Sequence, residues 1–169
     1  SLDALDVDVT HLRCGYFFSN LTRHLAAIRQ GEIDTVLRVD HAFSWVAPRD
    51  VAEMAALCLL DEGWQARHVR AVHGSRDLSW RDVTRILFDH VGNAVAARQI
   101  SDAADVPLPG AGLARGLAQA LLGMSTGIRD DFRPEQGRTP ATTTPTQLAG
   151  WVYDLSLIHI SEPTRQAEI

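Results

Sequence analysis

Thr10-His11-Leu12-Arg13-Cys14-Gly15-Tyr16-Phe17-Phe18-Ser19-Asn20-Leu21 decides how this chain is read. An apolar-spaced run, Val7, Val9 and Leu12, leads into it and reads as a buried strand over residues 7–14. The spacing stops at Gly15 and restarts with the period of a helix, placing Phe18, Leu21, Leu25 and Ile28 in one stripe that ends at Gly31. A strand passing through a glycine into a helix is a unit of open α/β sheets, whose ligands sit at the carboxyl ends of the strands. Gly15 can let a ligand approach the backbone or take a positive φ. Tyr16, Phe17 and Phe18 would wall the crevice, and Asn20 can both donate and accept hydrogen bonds.

The same alternation continues downstream. Thr35 to Val39 and Phe43 to Ala47 are short β-like runs. Pro48 suits the first position of a helix, and Asp50 places a carboxylate in its first turn, near the positive end of the dipole. Val51, Met54, Ala55, Cys58 and Leu59 form that helix's apolar stripe. A strand over His68 to Val72 turns at Gly74. Ser79 and Asp82 are spaced as a capping box for a helix with Trp80, Val83, Leu87 and Val91 on one face and Gly92 at its end. Ala94 to Ile100 is a weaker strand. From Pro107 the pattern becomes helical, with Leu113, Leu117 and Leu121 in register, followed by a polar, irregular stretch over 123–143. Thr144-Pro145-Thr146-Gln147 then reads as an N-cap, a first-position proline and a third-position Gln, opening a helix with Leu148 and Trp151.

The ends need separate treatment. The start has no Met and no signal-peptide or transit pattern, and it reads as the tail of a helix running into a strand. Leu155 to Arg165 reproduces the translation of a transposon-end sequencing adapter, with Gln166 to Ile169 read from the index behind it. The expectation is a natural protein over 1–154, truncated at both ends, with a non-native tail over 155–169.

Composition excludes several classes. A hydrophobic share of 46%, a charged share of 22% and a formal charge of −5 describe an ordinary globular piece without the basic stripe that nucleic acid or an anionic membrane requires. No apolar run approaches the length of a membrane span. All 16 basic residues are Arg, so no P-loop Lys, Schiff-base Lys or Tyr-x-x-x-Lys dyad is present. Cys14 and Cys58 have no metal or disulfide spacing, which fits a reducing cytoplasm. The seven His form no H-x-x-x-H pair, and no metal site is expected. Gly110 to Gly116 approaches a dinucleotide fingerprint, but Pro107-Leu108-Pro109 occupies the place of its strand. Gly123-Met124-Ser125-Thr126-Gly127 spells G-x-S-x-G behind a Leu-rich helix where a nucleophile elbow needs a strand. Tyr16 is a weak candidate proton donor, because position 20, four residues on, is Asn in place of Lys; an aromatic wall is the better reading.

Leu12-Arg13-Cys14-Gly15-Tyr16-Phe17-Phe18-Ser19-Asn20 resembles the L-R-P-G-x-F-x-x-N turn of the NmrA-like atypical short-chain dehydrogenase/reductases, with Cys14 where Pro is usual. Val46 to Ala52 is similar to the family's V-x-x-x-D-V-A helix, Gly74 to Ser79 to its Gly-x-x-x-Leu-Ser segment, and Gly137 to Pro140 with Trp151 to its closing Gly-Arg-x-Pro and Trp helix. The resemblance implies the C-terminal portion of a Rossmann-type parallel sheet over 1–106 and a small helical substrate lobe over 107–154. It implies NADP or NAD as cofactor, held mostly by an upstream half with the Gly-rich turn. Cys14, Gly15 and Tyr16 would touch the cofactor, and Phe17, Phe18 and Asn20 the substrate. The implied activity is NAD(P)H-dependent reduction of a small carbonyl, quinone or similar acceptor. A non-catalytic NAD(P)-binding redox sensor is the alternative, since some relatives lack a catalytic dyad.

Overall fold

The computed structural model describes residues 6–61, 63, 66–92, 94–100, 123, 127 and 134–160. Strand β1 (Val9–Cys14) runs parallel to β5 (Arg67–Val72), in register from Val9 opposite Arg67 to Cys14 opposite Val72. Beyond Cys14 the chain changes partner. Tyr16 and Phe17 form β2 (Tyr16–Phe17), which lies parallel to β4 (Phe43–Val46), and β4 pairs antiparallel with β6 (Asp77–Leu78). A third parallel pair joins β3 (Glu32–Thr35) to β7 (Ala96–Gln99). The strand expected over Thr35 to Val39 therefore ends where it was expected to begin, because its ladder partner is β7, and Thr35 closes it by accepting from the Leu37 N–H (3.1 Å).

Helix formation follows local signals closely. Phe18–His24 is a 3-10 helix that runs into α1 (Leu25–Gln30), and Gly31 ends it at φ 84°, a left-handed conformation suited to glycine. Ser79 caps α3 (Trp80–Val91): its Oγ accepts from the Asp82 N–H (3.2 Å), while Asp82 Oδ2 accepts from the Ser79 N–H (3.0 Å). Gly92 closes α3 at φ 73°. The buried core gathers Phe18, Trp45, Trp80, Val83, Leu148 and Val152 among others, so α4 (Leu148–Ile160) shares one core with α3 and the 3-10 helix.

Two expectations change. The last helix begins at Leu148 and not at Thr144, because Thr144 Oγ1 donates to the His73 carbonyl (3.0 Å) and so is not free to cap. It also continues through Ile160, so the first six residues of the adapter-like tail extend a helix, and the tail beyond 160 lies outside the described residues. In α2 (Pro48–Leu60), Asp50 is the buried residue; Leu57, Leu59 and Leu60 are 59%, 81% and 77% exposed. The expected stripe through Leu59 is only half covered, because the main element beneath it is the two-stranded β1–β5 ladder. The helix expected at Leu113 to Leu121 and the Gly110 to Gly116 turn lie outside the described residues. Gly123 and Gly127 are both helical.

The outer edge of β5 is occupied without a further strand. The Ala71 N–H donates to Gln136 Oε1 (2.8 Å), and Gln136 Nε2 donates to the Val69 carbonyl (2.8 Å). His73 continues the contact, donating its N–H to the Thr142 carbonyl (2.7 Å) and accepting from the Thr144 N–H (2.8 Å). Among the described residues no strand pairs with the other edge of β1. An unpaired edge beside exposed apolar side chains is a template for association. The 18.5 kDa chain is therefore expected to sediment as concentration-dependent oligomers, and a monomer at every concentration would contradict this account.

Candidate functional site

The change of strand partner at Gly15 builds the site. The Gly15 N–H donates to the Val72 carbonyl (3.0 Å), continuing the β1–β5 ladder by one step before Tyr16 crosses to Trp45. A Cβ on Gly15 would stand 2.7 Å from both the carbonyl oxygen and the Oγ of Ser44. Gly74 plays the same part after β5, where a Cβ would overlap the Trp45 carbonyl. The Gly74 N–H donates to Ser44 Oγ (3.2 Å). Gly31 and Gly92 are the glycines at positive φ among the described residues, so the expected positive φ at Gly15 is not found; its missing side chain admits the backbone of β4.

Tyr16 is thereby set among aromatics. Its ring lies edge-on to Phe43 (5.7 Å) and Trp45 (4.7 Å), and Trp45 packs edge-on to Trp80 (5.1 Å). Trp45 is fixed in turn by donating its Nε1–H to the Leu78 carbonyl (3.0 Å). Burial pushes the Tyr16 phenol above its ordinary value, opposed by the charge of Arg23 and a side-chain hydrogen bond with Asn20. A phenol held neutral in this way is a poorer acid than a free tyrosine, which favours the wall over the proton donor.

The other expected site residues divide. Phe17 and Asn20 are half-buried beside Tyr16, where a ligand at the end of β1 could touch them. Phe18 is 1% exposed and packs on Trp151 at 5.8 Å, so it belongs to the core and not to the crevice wall. The 3-10 turn directs it inward, one residue past the last half-buried ring. Cys14 is half-buried, its thiol pushed up by burial and lying 3.9 Å from the Leu12 carbonyl, which disfavours the reactive thiolate.

Asp50 has a partner that sequence spacing did not suggest. Thr146 donates its hydroxyl to Oδ1 (2.6 Å) and its N–H to Oδ2 (3.1 Å), so the carboxylate at the start of α2 fastens the approach to α4. Around it, Arg13 pairs with Glu135 (2.6 Å), and Arg138 bonds the Gly74 carbonyl and Asp77. These contacts tie the segment 134–146 across the ends of β1 and β5. Their only sequence signal was the Gly-Arg-x-Pro resemblance. Among the described residues no group of three or more His, Cys, Asp or Glu could hold a metal ion, and no helix is long and apolar enough to cross a membrane.

No family profile and no curated protein matches the chain. Solved structures do match it. A NADPH-dependent quinone oxidoreductase from Escherichia coli, solved with NADPH, is 22% identical over 87% of this chain and 53% of its own, with a TM-score of 0.69. A nucleoside-diphosphate-sugar epimerase from Staphylococcus aureus is 12% identical over 88% of this chain and 53% of its own, with a TM-score of 0.66. NmrA, a negative transcriptional regulator in complex with NADP, is 16% identical over 91% of this chain and 50% of its own, with a TM-score of 0.55. The chain thus spans about half the length of these structures. At such identities the likeness shows the fold: the C-terminal part of a Rossmann-like NAD(P)-binding fold.

Two measurements check this geometry. Gly15→Val must displace the β4 backbone, and overpacking of this kind costs about 1–3 kcal/mol; urea unfolding should register that loss before any effect on a ligand. The raised Tyr16 phenol stabilises the fold fully below the free tyrosine value near pH 10, because folded and unfolded forms are then both neutral. As pH rises further the unfolded state ionises first and that stability is lost. Absorbance titration should show a tyrosinate phase above pH 10 that Tyr16→Phe removes.

Proposed function

We propose that this chain is the cofactor-facing C-terminal part of an NmrA-like, NAD(P)H-dependent oxidoreductase acting on a small carbonyl, quinone or similar acceptor. The observation that carries the reading is the β1 turn, where a parallel strand ends just before Gly15 and is followed by Tyr16, with the half-buried Asn20 bonded to its phenol, and by the half-buried Phe17. In α/β sheets that position receives the ligand. The fold likeness supports the reading, since the Escherichia coli quinone oxidoreductase was solved with NADPH and NmrA with NADP.

The residues present fit the nicotinamide end of such a cofactor. The backbone of Cys14 to Tyr16 lies at the strand end, while Phe17 offers an aromatic face and Asn20 an amide. When bound, a reduced nicotinamide supplies hydride. This chain's part is orientation: Tyr16, backed by Phe43 and Trp45, keeps water from one side of the crevice, and Asn20 can hold a carbonyl oxygen. The phosphates would be held by the half of the fold that this chain does not span, through a Gly-rich turn at a helix N-terminus.

The sensor alternative draws on a specific observation. The Tyr16 phenol is raised and not lowered, and no Lys stands near it, so the turn has no activated acid. Under that reading the pocket binds a dinucleotide and reports it to a partner, without turnover.

The separating experiment joins the chain to an upstream half carrying a Gly-rich strand turn. The completed protein should bind NADPH saturably and oxidise it in the presence of a quinone, whereas the isolated chain should bind none. Tyr16→Phe in the completed protein should leave turnover within a few-fold; a loss of about a hundredfold would make Tyr16 the acid. Binding without turnover selects the sensor, and tight NADPH binding by the isolated chain would overturn the division of labour.

A further inference from the structure

One side of the aromatic turn is built to meet negative charge. No acidic residue occurs between Asp8 and Glu32 in the sequence; Arg13 is already paired with Glu135, and Arg23 is the exposed cation on the turn itself. Residues three apart stand over one another on a 3-10 helix, which places Arg23 above Asn20 on the turn that runs from Phe18 to His24. Arg23 is exposed and makes no ion pair or hydrogen bond among the described residues. Its charge is felt at both Tyr16 and His24. His24 meets the Trp80 ring edge to face at 5.8 Å. Trp80 Nε1 is the buried side-chain donor that finds no acceptor among the described residues.

These groups are nearly all donors. Asn20 offers an NH2 group, Arg23 a guanidinium fork and Trp80 an indole N–H. Beside them, Phe43 is half-buried and stacked on Trp45 (5.3 Å, 23° between planes), with Tyr16 edge-on to it. A flat aromatic face next to an exposed guanidinium and an amide suits a ligand with a ring at one end and a delocalised anion at the other.

We propose that Arg23 and Asn20, with the His24–Trp80 pair behind them, hold the carboxylate of a small aromatic acid whose ring lies against Tyr16 and Phe43. The proposal rests on the reading of this turn as the acceptor site, and it narrows the acceptor to an aromatic or conjugated compound bearing a carboxylate. Arg23 acts as the anchor because it is exposed and its charge has no partner among the described residues. Asn20 adds direction through its amide.

The test uses the 169-residue chain and needs no cofactor, so its outcome is independent of whether a nicotinamide binds. Benzoate is titrated while tryptophan fluorescence is followed, with benzamide as the uncharged isostere and inorganic phosphate as a compact anion. Benzoate should bind saturably and lose affinity with added salt, and benzamide should bind at least about tenfold more weakly, as expected for the loss of one charge-assisted contact. Arg23→Gln should weaken benzoate by a similar factor of about ten, and Arg23→Lys should weaken it less, since it keeps the charge and loses only the fork. Arg23 is exposed, so circular dichroism and sedimentation of Arg23→Gln should match the parent chain. No saturable response to benzoate, an unchanged affinity in Arg23→Gln, or equal binding of benzamide each overturns the proposal. Phosphate binding as tightly as benzoate overturns the aromatic half of it and reassigns the corner to phosphate.

Discussion

The seat of β4 over two glycines is the constraint on which the rest of the structure depends. β1 and β5 run parallel and end level with each other; Gly15 follows β1 at once, and Gly74 follows β5 after His73. Both glycines lack a side chain where the Ser44–Trp45 backbone passes. With that backbone seated, Trp45 reaches the Leu78 carbonyl, its ring meets Trp80, and Tyr16 is trapped between Trp45 and Phe43. A close-packed interior gives little room for adjustment, so a methyl group at either glycine would be transmitted to every one of those rings.

The second organising contact is electrostatic. Asp50 is 4% exposed, and a carboxylate so buried needs its lone pairs satisfied. Thr146 supplies two donors from the far end of the chain. Hydrogen bonds to a charged group contribute about 1.5–3 kcal/mol each, so this pair matters as much as a sizeable core side chain. It also has a geometric effect. The first turn of α2 is fixed to the entry of α4, and α4 brings Leu148, Trp151 and Val152 against Phe18 and α3. The wall of the candidate site is therefore braced from behind by a contact that touches none of its ring atoms.

Local chemistry was legible in the sequence and long-range chemistry was not. The Ser79–Asp82 box, the glycine stops at Gly31 and Gly92, and the strand before Gly15 each depend on residues within a few positions, and each formed as read. Thr144 fails as an N-cap because its hydroxyl serves His73, seventy-one residues away. Phe18 fails as a wall residue because the 3-10 turn directs it inward to Trp151. Gln136 completes the edge of β5 with its side-chain amide, taking the two positions a neighbouring strand would use. No period or motif encodes such a substitution, since one amide in a polar stretch looks like any other.

Burial is distributed unevenly, and the site lies on the boundary. On one side, Trp80, Val83, Ile86, Leu87, Leu148 and Val152 close a core between α3 and α4. On the other, β5 buries only Ala71 and Val72 at its end, and α2 turns three leucines to solvent. Parallel strands covered on both faces are near-continuously apolar, whereas β1 and β5 mix Val and Leu with Arg and His and are mostly half-buried. Gly15 to Asn20 is the stretch where the chain crosses from that half-buried ladder to the closed core. A ligand bound there touches a rigid aromatic wall on the core side and an under-supported strand on the other.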